Sequence, residues 1–358
     1  MVTQRPVPAL RHASMRTISL ITLLLVLTTV ACGAAANRSR AAVSTTTAVA
    51  RRDTTTGSTT TVARASVGTA PTSTPPAVPP TRPPVAPAGG PWTVLASSGG
   101  APVVWGSSNQ PLPAQPNVVA SYAAFDPTRL HAALFNGTEL PGGGPWTNGS
   151  KVVPALVPSL VAAFNGGFKF KDMQGGYFTE GRVVKPLLVG DATLAISRTG
   201  ELTIGVYGTD LTNDGSWVTL RQNLPLIVDD GREVVSTARE RGQAHVYWGD
   251  NFGGVLLDLR SALCIRTDGL MMYAVVGNVD INGLAAALIG AGCKRAMQLD
   301  INGRWPQFLT FDQPGTSSRA PIALDTRMTH LDRYLTVGSK KDFVALFDPM
   351  LLPPNVLR

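Results

Sequence analysis

The chain has 358 residues and a formal net charge of +8 at pH 7, and its composition is 44% hydrophobic and 15% charged. The excess charge is confined to the N-terminal part, because residues 1–92 contain nine Arg and one Asp, whereas the rest contains 22 basic and 22 acidic side chains. This balanced remainder lacks the basic surface typical of nucleic-acid-binding domains, which argues against a nucleic-acid partner.

Residues 1–31 have the pattern of an export signal, with Arg5, Arg11 and Arg16 ahead of an apolar run that is too short to span a bilayer comfortably. Cys32 follows this run directly, as in the lipobox of bacterial lipoproteins, in which the cysteine is lipidated. We therefore expect an exported protein that is lipid-anchored on the outer face of the cytoplasmic membrane. The alternative is cleavage by an ordinary signal peptidase, which yields a secreted protein.

Residues 32–91 consist mainly of Ala, Thr, Ser, Pro and Arg. Such a segment has too little apolar surface to offset the entropy of ordering it, and its Pro-rich end is typical of an extended spacer. We predict a disordered stalk whose arginines lie along anionic lipid or wall polymer. The folded domain is predicted to span residues 92–358, which is long enough for one sizeable core.

Short β-rich runs separated by Gly, Asn-Gly and Pro dominate the folded domain. Strands are predicted at 92–97, 117–125, 130–136, 192–197, 201–208, 253–265 and 269–277. The last two flank Thr267-Asp268-Gly269, a turn sequence typical of a β-hairpin. Helical patterns are few and no βαβ alternation is visible, so we predict an α+β fold built on a strand-rich mixed sheet.

One helix is well marked in the sequence INGLAAALIGAG. Asp280 precedes it as a candidate N-cap, Leu284 and Leu288 are four residues apart on one face, and Gly292 offers a C-terminal stop. A second short helix is predicted in PALVPSLVAA, just before Phe164.

The folded domain contains two cysteines, Cys264 and Cys293. In an exported protein they form either a disulfide or two buried thiols, and the sequence leaves both open. The histidines are scattered and no Cys-x-x-Cys motif exists, so no metal-ligand set is identified. No cofactor motif is found, and acidic loops such as Asp250-Asn251 leave a divalent metal open.

The first segment with unusual chemistry is VAAFNGGFKF, in which an apolar strand leads to Asn165, Gly166 and Gly167. The two glycines are predicted to turn the backbone sharply and to leave amide N–H groups open to an anion or a sugar oxygen. A tight turn without a ligand is the alternative. The segment QGGYFTEGRVVKP follows and contains Glu180, as if a second loop closed the same pocket.

The second segment runs from Arg260 to Gly303. Arg260 lies among apolar strand residues, where its planar guanidinium suits a phosphate or carboxylate, and a structural ion pair with Asp258 or Asp300 is the alternative. Asp300 ends the strand sequence RAMQLD and precedes Ile-Asn-Gly, so this carboxylate serves either a turn or a reaction.

Together these segments resemble the phosphodiester glycosidase family, in a bacterial exported branch. The family pattern has Asn-Gly-Gly-Phe, an Arg-Thr-Ala strand, a helix ending in Leu-x-x-x-Gly, and Asn-Leu-Asp-Gly-Gly-Gly-Ser. The corresponding sequences here are Phe164–Phe168, Arg260–Ala262, Leu288–Gly292 and Gln298–Gly303. Two of the motif's glycines are replaced by Ile301 and Asn302, and the β-branched Ile is expected to narrow or redirect the site.

The resemblance implies hydrolysis of a sugar 1-phosphodiester, of the N-acetylglucosamine 1-phosphate type, in envelope glycans or wall polymers. Asp300 is then expected to be the base or electrostatic stabiliser, with Glu180 as the second candidate. Arg260 is expected to neutralise the phosphate.

The same resemblance suggests how the substrate is held. The Gly166 and Gly167 amides would contact the phosphate, and Asn165 and Asn302 would hydrogen-bond the sugar. The altered motif after Asp300 supports a second hypothesis, a non-catalytic glycan-binding lipoprotein of the cell envelope.

Overall fold

The structure is a computed structural model that describes residues 83–84, 90–240, 248–249, 258–312, 314–354 and 356–357. The predicted export signal, the lipidation of Cys32 and nearly all of the predicted stalk lie outside the described residues, as does Asp250-Asn251. These features therefore stay predictions. Within the described part of the chain, no helix has both the length and the apolar character needed to cross a membrane.

The described residues contain eighteen strands. In chain order they are β1 (Thr93–Ser98), β2 (Ala101–Asn109), β3 (Ala120–Phe125), β4 (His131–Phe135), β5 (Leu160–Asn165), β6 (Tyr177–Thr179), β7 (Arg182–Lys185), β8 (Ala192–Ser197), β9 (Leu202–Val206), β10 (Trp217–Gln222), β11 (Val228–Asp229), β12 (Arg232–Glu233), β13 (Asp258–Arg266), β14 (Met271–Val279), β15 (Cys293–Gln298), β16 (Phe308–Phe311), β17 (Pro321–Ala323) and β18 (Phe343–Phe347).

These strands form three sheets. The first sheet has the order β1-β2-β3-β14-β13-β15-β11-β12, the second β7-β6-β10-β8-β9, and the third β17-β16-β5-β18-β4. The predicted α+β class, rich in strands with few helices, is confirmed. The expected mixed pairing differs from the structure, because the ladders between these strands are antiparallel. Hairpins and loops make most of the connections, and parallel pairing needs longer crossovers.

Helical structure is limited to α1 (Val235–Glu240), α2 (Ile281–Gly290), a 3₁₀ segment (Pro154–Ser159) and a π-helical turn (Arg333–Val337) among the described residues. Helix α2 begins where the sequence predicts, since the Asp280 side chain accepts a hydrogen bond from the Gly283 amide at 2.7 Å. It ends before Gly292, whose φ of 84° suits a residue without a Cβ. The second predicted helix is the 3₁₀ segment.

The first sheet is buried on both faces, as β14 shows. Met272, Ala274 and Val276 pack with helix α2, whereas Tyr273 and Val275 point toward the second and third sheets. This alternation is the period-2 pattern of a strand between two apolar layers. It also places neighbouring residues of β13 on opposite sides of the sheet.

A disulfide joins Cys264 in β13 to Cys293 at the start of β15, with their Cα atoms 5.8 Å apart. This is one of the two alternatives that the sequence left open. The bond closes a segment of the chain that contains strand β14 and helix α2. It therefore ties two neighbouring strands of the first sheet together.

Candidate active site

Three polar residues from separate parts of the chain meet where the first and third sheets face each other. Asn165 ends β5, Ser261 lies in β13, and Asp300 follows β15 by two residues. Asn165 Nδ2 donates to Ser261 Oγ at 3.2 Å, and the Asp300 amide donates to the same oxygen at 3.1 Å. Asn165 Oδ1 accepts from Tyr273 Oη at 2.8 Å and from the Gln307 amide at 3.0 Å. The network orients Asn165 and fixes the backbone that carries Asp300.

The Asp300 carboxylate has a different partner on each oxygen. Oδ1 accepts the amides of Ile301 at 2.8 Å and Asn302 at 3.0 Å, which is turn chemistry. Oδ2 forms an ion pair with Lys341 Nζ, and both side chains are only 4% exposed. An ionised carboxylate offers about four acceptor positions, so these contacts leave one position on Oδ2. Asp300 is therefore both a turn residue and the anion of a buried ion pair.

Lys341 is a site residue that the sequence analysis missed. It lies in Ser-Lys-Lys-Asp, directly before the apolar strand β18. The sequence signal was the same as for Asp300, namely a charged residue at the end of a buried strand. In the structure β18 pairs with β5, and Phe343 lies opposite Asn165. This pairing brings Lys341 to the end of β5 and within reach of Asp300.

A second buried ion pair lies beside the first. Arg221 of β10 contacts Asp342 with Nε at 2.8 Å from Oδ2 and Nη2 at 3.3 Å from Oδ1. Both side chains are nearly inaccessible to solvent. Arg221 also donates to the carbonyl of Phe168 at 2.8 Å. This pair therefore joins the second sheet to the end of β18, next to the candidate site.

The two glycines after Asn165 permit close packing. A Cβ on Gly166 would lie 2.1 Å from Asp342 Oδ2, and a Cβ on Gly167 would lie 2.7 Å from Asn223 Oδ1. Neither glycine has a positive φ, so the predicted sharp turn is not what requires them. The Gly166 amide donates to the Asp342 carbonyl at 3.0 Å and is not open to a phosphate as predicted.

Arg260 lies on the other face of the first sheet from Ser261. Its side chain is fully buried, with Nε 2.9 Å from the Val279 carbonyl and Nη1 2.7 Å from the Trp248 carbonyl. Nη1 also contacts Gln298 Oε1 at 3.2 Å. These contacts belong to a structural arginine, because the alternation of β13 points it away from Asn165. The predicted role of Arg260 at the phosphate is corrected accordingly.

Glu180 holds a loop and does not take part in the Asp300 network. Its carboxylate accepts the backbone amides of Thr147 and Asn148, each at 2.9 Å. Asn136 Nδ2 lies 3.4 Å from the same carboxylate. The predicted catalytic role of Glu180 is replaced by one in anchoring this loop, since its oxygens are engaged by the backbone.

The substitutions in the family motif do not narrow the site as expected. The Ile301 side chain is 2% exposed and packs in the core with Trp248, and its Cδ1 lies 1.9 Å from where a Cβ on Gly249 would be. The Asn302 side chain is exposed, and its Oδ1 accepts the Arg304 amide at 3.2 Å. Ile301 thus contributes to the core, and Asn302 shapes the turn that follows Asp300.

A cleft of about 380 Å³ lies next to the Asp300–Lys341 pair. Its lining includes the half-buried ring of Trp305, the four cations Lys169, Arg304, Arg333 and Lys340, and the two carboxylates of Glu139 and Asp332. Lys341 Nζ lies 5.2 Å from the centroid of the Trp305 ring, so this ring connects the cleft with the ion pair. None of the cleft cations was predicted as a site residue.

Positive charge predominates in the cleft. Lys340 Nζ lies 2.8 Å from Glu139 and Lys169 Nζ lies 3.9 Å from it, so one carboxylate serves two ammonium groups. The hydrogen bond from Lys340 lowers the pKa of Glu139 below its ordinary value, with the Lys340 charge acting in the same direction. Arg304 and Arg333 make no ion pair within the described residues.

No group of three or more His, Cys, Asp or Glu side chains in the part of the chain that the structure describes is arranged to hold a metal ion. The charged side chains described at the site are Asp300, Lys341 and those that line the cleft. Tyr273 is a fixed donor there, because burial raises its pKa well above the ordinary value and keeps the hydroxyl protonated.

Comparison with known proteins shows that part of the chain is similar to one family. Residues 158–300 match the family model described as phosphodiester glycosidase, so the resemblance to this family is confirmed for these residues. The bacterial exported branch stays a prediction. The match contains Asn165, Ser261 and Asp300, and it ends before Trp305, Arg333 and Lys341. No curated protein matches the chain.

Three solved structures are similar to the chain at low sequence identity. The catalytic domain of zebrafish N-acetylglucosamine-1-phosphodiester alpha-N-acetylglucosaminidase, auto-inhibited by its pro-peptide, is 15% identical, with 72% of this chain and 87% of that chain covered and a TM-score of 0.45. A hypothetical protein from Synechocystis is 10% identical, with 71% and 64% covered and a TM-score of 0.43. A putative exported protein from Burkholderia pseudomallei is 14% identical, with 64% and 74% covered and a TM-score of 0.34.

Proposed function

We propose that this chain, whose residues 158–300 match the phosphodiester glycosidase family, is a hydrolase that cleaves a sugar 1-phosphodiester of the N-acetylglucosamine 1-phosphate type. The observation that carries the proposal is the buried Asp300–Lys341 pair, which lies beside a cationic cleft and whose Asp300 is the last residue of the family match. A carboxylate near the sugar and cations near the phosphate are what this reaction requires.

In the proposed reaction, a water molecule attacks the anomeric carbon of the sugar. The bond from that carbon to the phosphate oxygen breaks, and its electron pair leaves with the phosphomonoester. Asp300 Oδ2 accepts the proton of the water and stabilises positive charge on the sugar ring as it develops. A phosphomonoester is a good leaving group, so the carboxylate and the cations suffice without a strong general acid.

Lys341 and Asn165 position the catalytic carboxylate in this mechanism. Lys341 holds Oδ2, and the Asn165–Ser261 network holds the backbone on the other side of Asp300. The pair is nearly inaccessible, so a sugar reaches Asp300 only after a rearrangement. We propose that the exposed segment 302–304 and the Trp305 ring, which lies 5.2 Å from Lys341 Nζ, move aside. Return of the ring would then exclude bulk water from the reacting carbon.

The natural substrate class follows from where the chain is expected to act. We propose that the predicted export signal and Cys32 lipobox direct the domain to the outside of the cytoplasmic membrane, on a stalk. Envelope glycans and wall polymers joined through sugar phosphates occur there. We therefore propose such a polymer as the substrate, with the domain anchored through lipid at Cys32.

The test is release of free N-acetylglucosamine from an N-acetylglucosamine 1-phosphodiester by the purified full-length chain in detergent. Asp300→Asn keeps the size of the side chain, and we expect it to lower turnover at least about a hundredfold. Asp325→Asn is the matched control, because it breaks another buried contact, the ion pair with Arg327, at a residue that does not line the cleft. The control should retain wild-type turnover per folded molecule.

A non-catalytic glycan-binding protein is the second candidate, and one observation favours it. The Asp300 charge is already compensated by Lys341 and two amides, as in a purely structural ion pair. Absence of sugar release by folded wild-type protein, together with saturable binding of the same phosphodiester, would support this candidate and refute the hydrolase.

A further inference from the structure

We propose that Arg333 forms an oxyanion subsite in the Trp305 cleft and receives the phosphate group of the ligand. The identity of that ligand, a sugar 1-phosphate ester, rests on the proposed function. The existence of the subsite does not, because it follows from the burial and the contacts of Arg333 itself.

Arg333 is a buried cation without a counter-ion in the described part of the chain. It is 7% exposed, and its hydrogen bond goes from Nη2 to the Arg304 carbonyl at 2.8 Å. No described carboxylate lies within ion-pair distance of its guanidinium. Buried charges in proteins are normally paired, since taking a lone charge out of water is costly. An anionic ligand would provide the missing charge.

The guanidinium is oriented by an aromatic ring on the cleft wall. Its carbon lies 4.8 Å from the centroid of the Trp305 ring, and Lys341 Nζ lies 5.2 Å from the same centroid. The ring thus contacts both Arg333 and the lysine of the Asp300 ion pair. A phosphate bound at Arg333 would place the group attached to it, the sugar, toward that carboxylate.

Neighbouring cations make the subsite suited to a phosphate ester. Arg304 is exposed at the cleft and makes no ion pair with a described residue, and Lys169 has only a distant contact with Glu139. The planar guanidinium of Arg333 matches two oxygens of a phosphate at once. A neutral sugar would leave this charge unpaired, so the subsite should discriminate strongly against it.

The test is ligand binding by the full-length chain in detergent at constant ionic strength, measured by calorimetric titration with N-acetylglucosamine 1-phosphate, inorganic phosphate, acetate and N-acetylglucosamine. We expect saturable binding of the two phosphates, tighter for the sugar phosphate, and none of the neutral sugar. Arg333→Met should weaken phosphate binding at least about tenfold. Arg232→Met removes an exposed arginine of β12 that does not line the cleft, and should change the affinity less than about twofold.

Thermal unfolding of the same variants separates ligand binding from a structural role. Because Arg333 has no described counter-ion, Arg333→Met should unfold at the wild-type temperature or above it without ligand. Phosphate should then raise the unfolding temperature of the wild type but not of Arg333→Met. If Arg333→Met does not fold, Arg333→Lys decides, since a lysine keeps the charge but not the planar fork. A loss of at least about threefold in phosphate affinity then supports the subsite.

Unchanged phosphate affinity in a folded Arg333→Met or Arg333→Lys protein overturns the proposal, and so does acetate bound as tightly as phosphate. Failure of the proposed function looks different. A chain that binds phosphate through Arg333 but releases no sugar would refute the hydrolase and leave the subsite intact. Sugar release that does not depend on Arg333 would support the hydrolase and refute the subsite.

Discussion

Replacing Gly166 by alanine tests the close packing at the end of β5. The added Cβ would lie 2.1 Å from Asp342 Oδ2 and 2.9 Å from the Asp342 carbonyl oxygen. Ordinary van der Waals contact begins at 3.4 Å, so the carboxylate would have to retreat by about 1.3 Å. The Arg221 Nε–Asp342 Oδ2 contact of 2.8 Å cannot survive a shift of that size unless Arg221 moves as well.

The expected loss of stability follows from what the methyl group displaces. Disrupting a buried ion pair so that one charge is left uncompensated costs about 3–5 kcal/mol, and overpacking a core costs about 1–3 kcal/mol. Because Arg221 keeps its bonds to backbone carbonyls, the loss should fall near the lower end of the first range, at about 3 kcal/mol. Replacing a glycine also lowers the conformational entropy of the unfolded chain, and this effect offsets a few tenths of a kcal/mol of the predicted loss.

Urea unfolding of the wild type, Gly166→Ala and Gly303→Ala would measure this loss. Gly303 is the matched control, because it follows Asp300 closely, has no atom within 4 Å of an added Cβ and has no positive φ. Its replacement should change the free energy of unfolding by less than about 0.5 kcal/mol. A Gly166→Ala protein within about 1 kcal/mol of the wild type would refute the packing argument and indicate that Asp342 has room to move.

Three further predictions address charge, the disulfide and the loop at Glu180. Burial raises the pKa of Asp191 from its ordinary 3.8 to about 7, so the folded state favours the neutral acid. The free energy of unfolding therefore has its full value below about pH 4 and falls as the pH rises to about 7. Between pH 5 and pH 8, urea unfolding should show that the wild type loses roughly 2–3 kcal/mol more of this free energy than Asp191→Asn does. Equal losses would exclude Asp191 as the cause. Replacing Cys264 and Cys293 together by alanine should lower the free energy of unfolding by about 2–4 kcal/mol in the same assay under oxidising conditions. An unchanged free energy of unfolding would mean that the cross-link adds no stability. Glu180→Gln should lower the free energy of unfolding by about 1–3 kcal/mol, because the carboxylate accepts hydrogen bonds from two backbone amides. Turnover per folded molecule should stay at the wild-type value. A large fall in turnover would return Glu180 to the catalytic candidates.

Much of the local structure was predictable from the sequence, because it depends on residues close together in the chain. The hairpin at Thr267-Asp268-Gly269 forms as predicted between β13 and β14. Helix α2 starts at its Asp280 cap and ends before Gly292 because cap and stop are local signals. The apolar strand that ends at Asn165 was likewise evident from its composition.

Part of the candidate site was predictable too, since a polar residue at the end of an apolar strand is an unusual pattern. Asn165 and Asp300 were identified in this way and meet in one network through Ser261. Arg260 was identified by a different pattern, a cation inside an apolar strand, and it lies elsewhere. The sequence shows that a residue is in a strand but does not show which face of the strand it occupies. Only the packing of the first sheet against the others separates Arg260 from Ser261.

The partners of the site residues were decided by the tertiary structure. Lys341 lies 41 residues after Asp300, and Asp342 lies 121 residues after Arg221, so no local pattern links them. They meet because β18 pairs with β5, and this pairing depends on the apolar faces of whole strands. The sequence thus determined which side chains end at the edges of buried strands, whereas long-range strand pairing decided which opposite charges came into contact. The physical reason is that burial makes an unpaired charge costly wherever its partner lies in the chain.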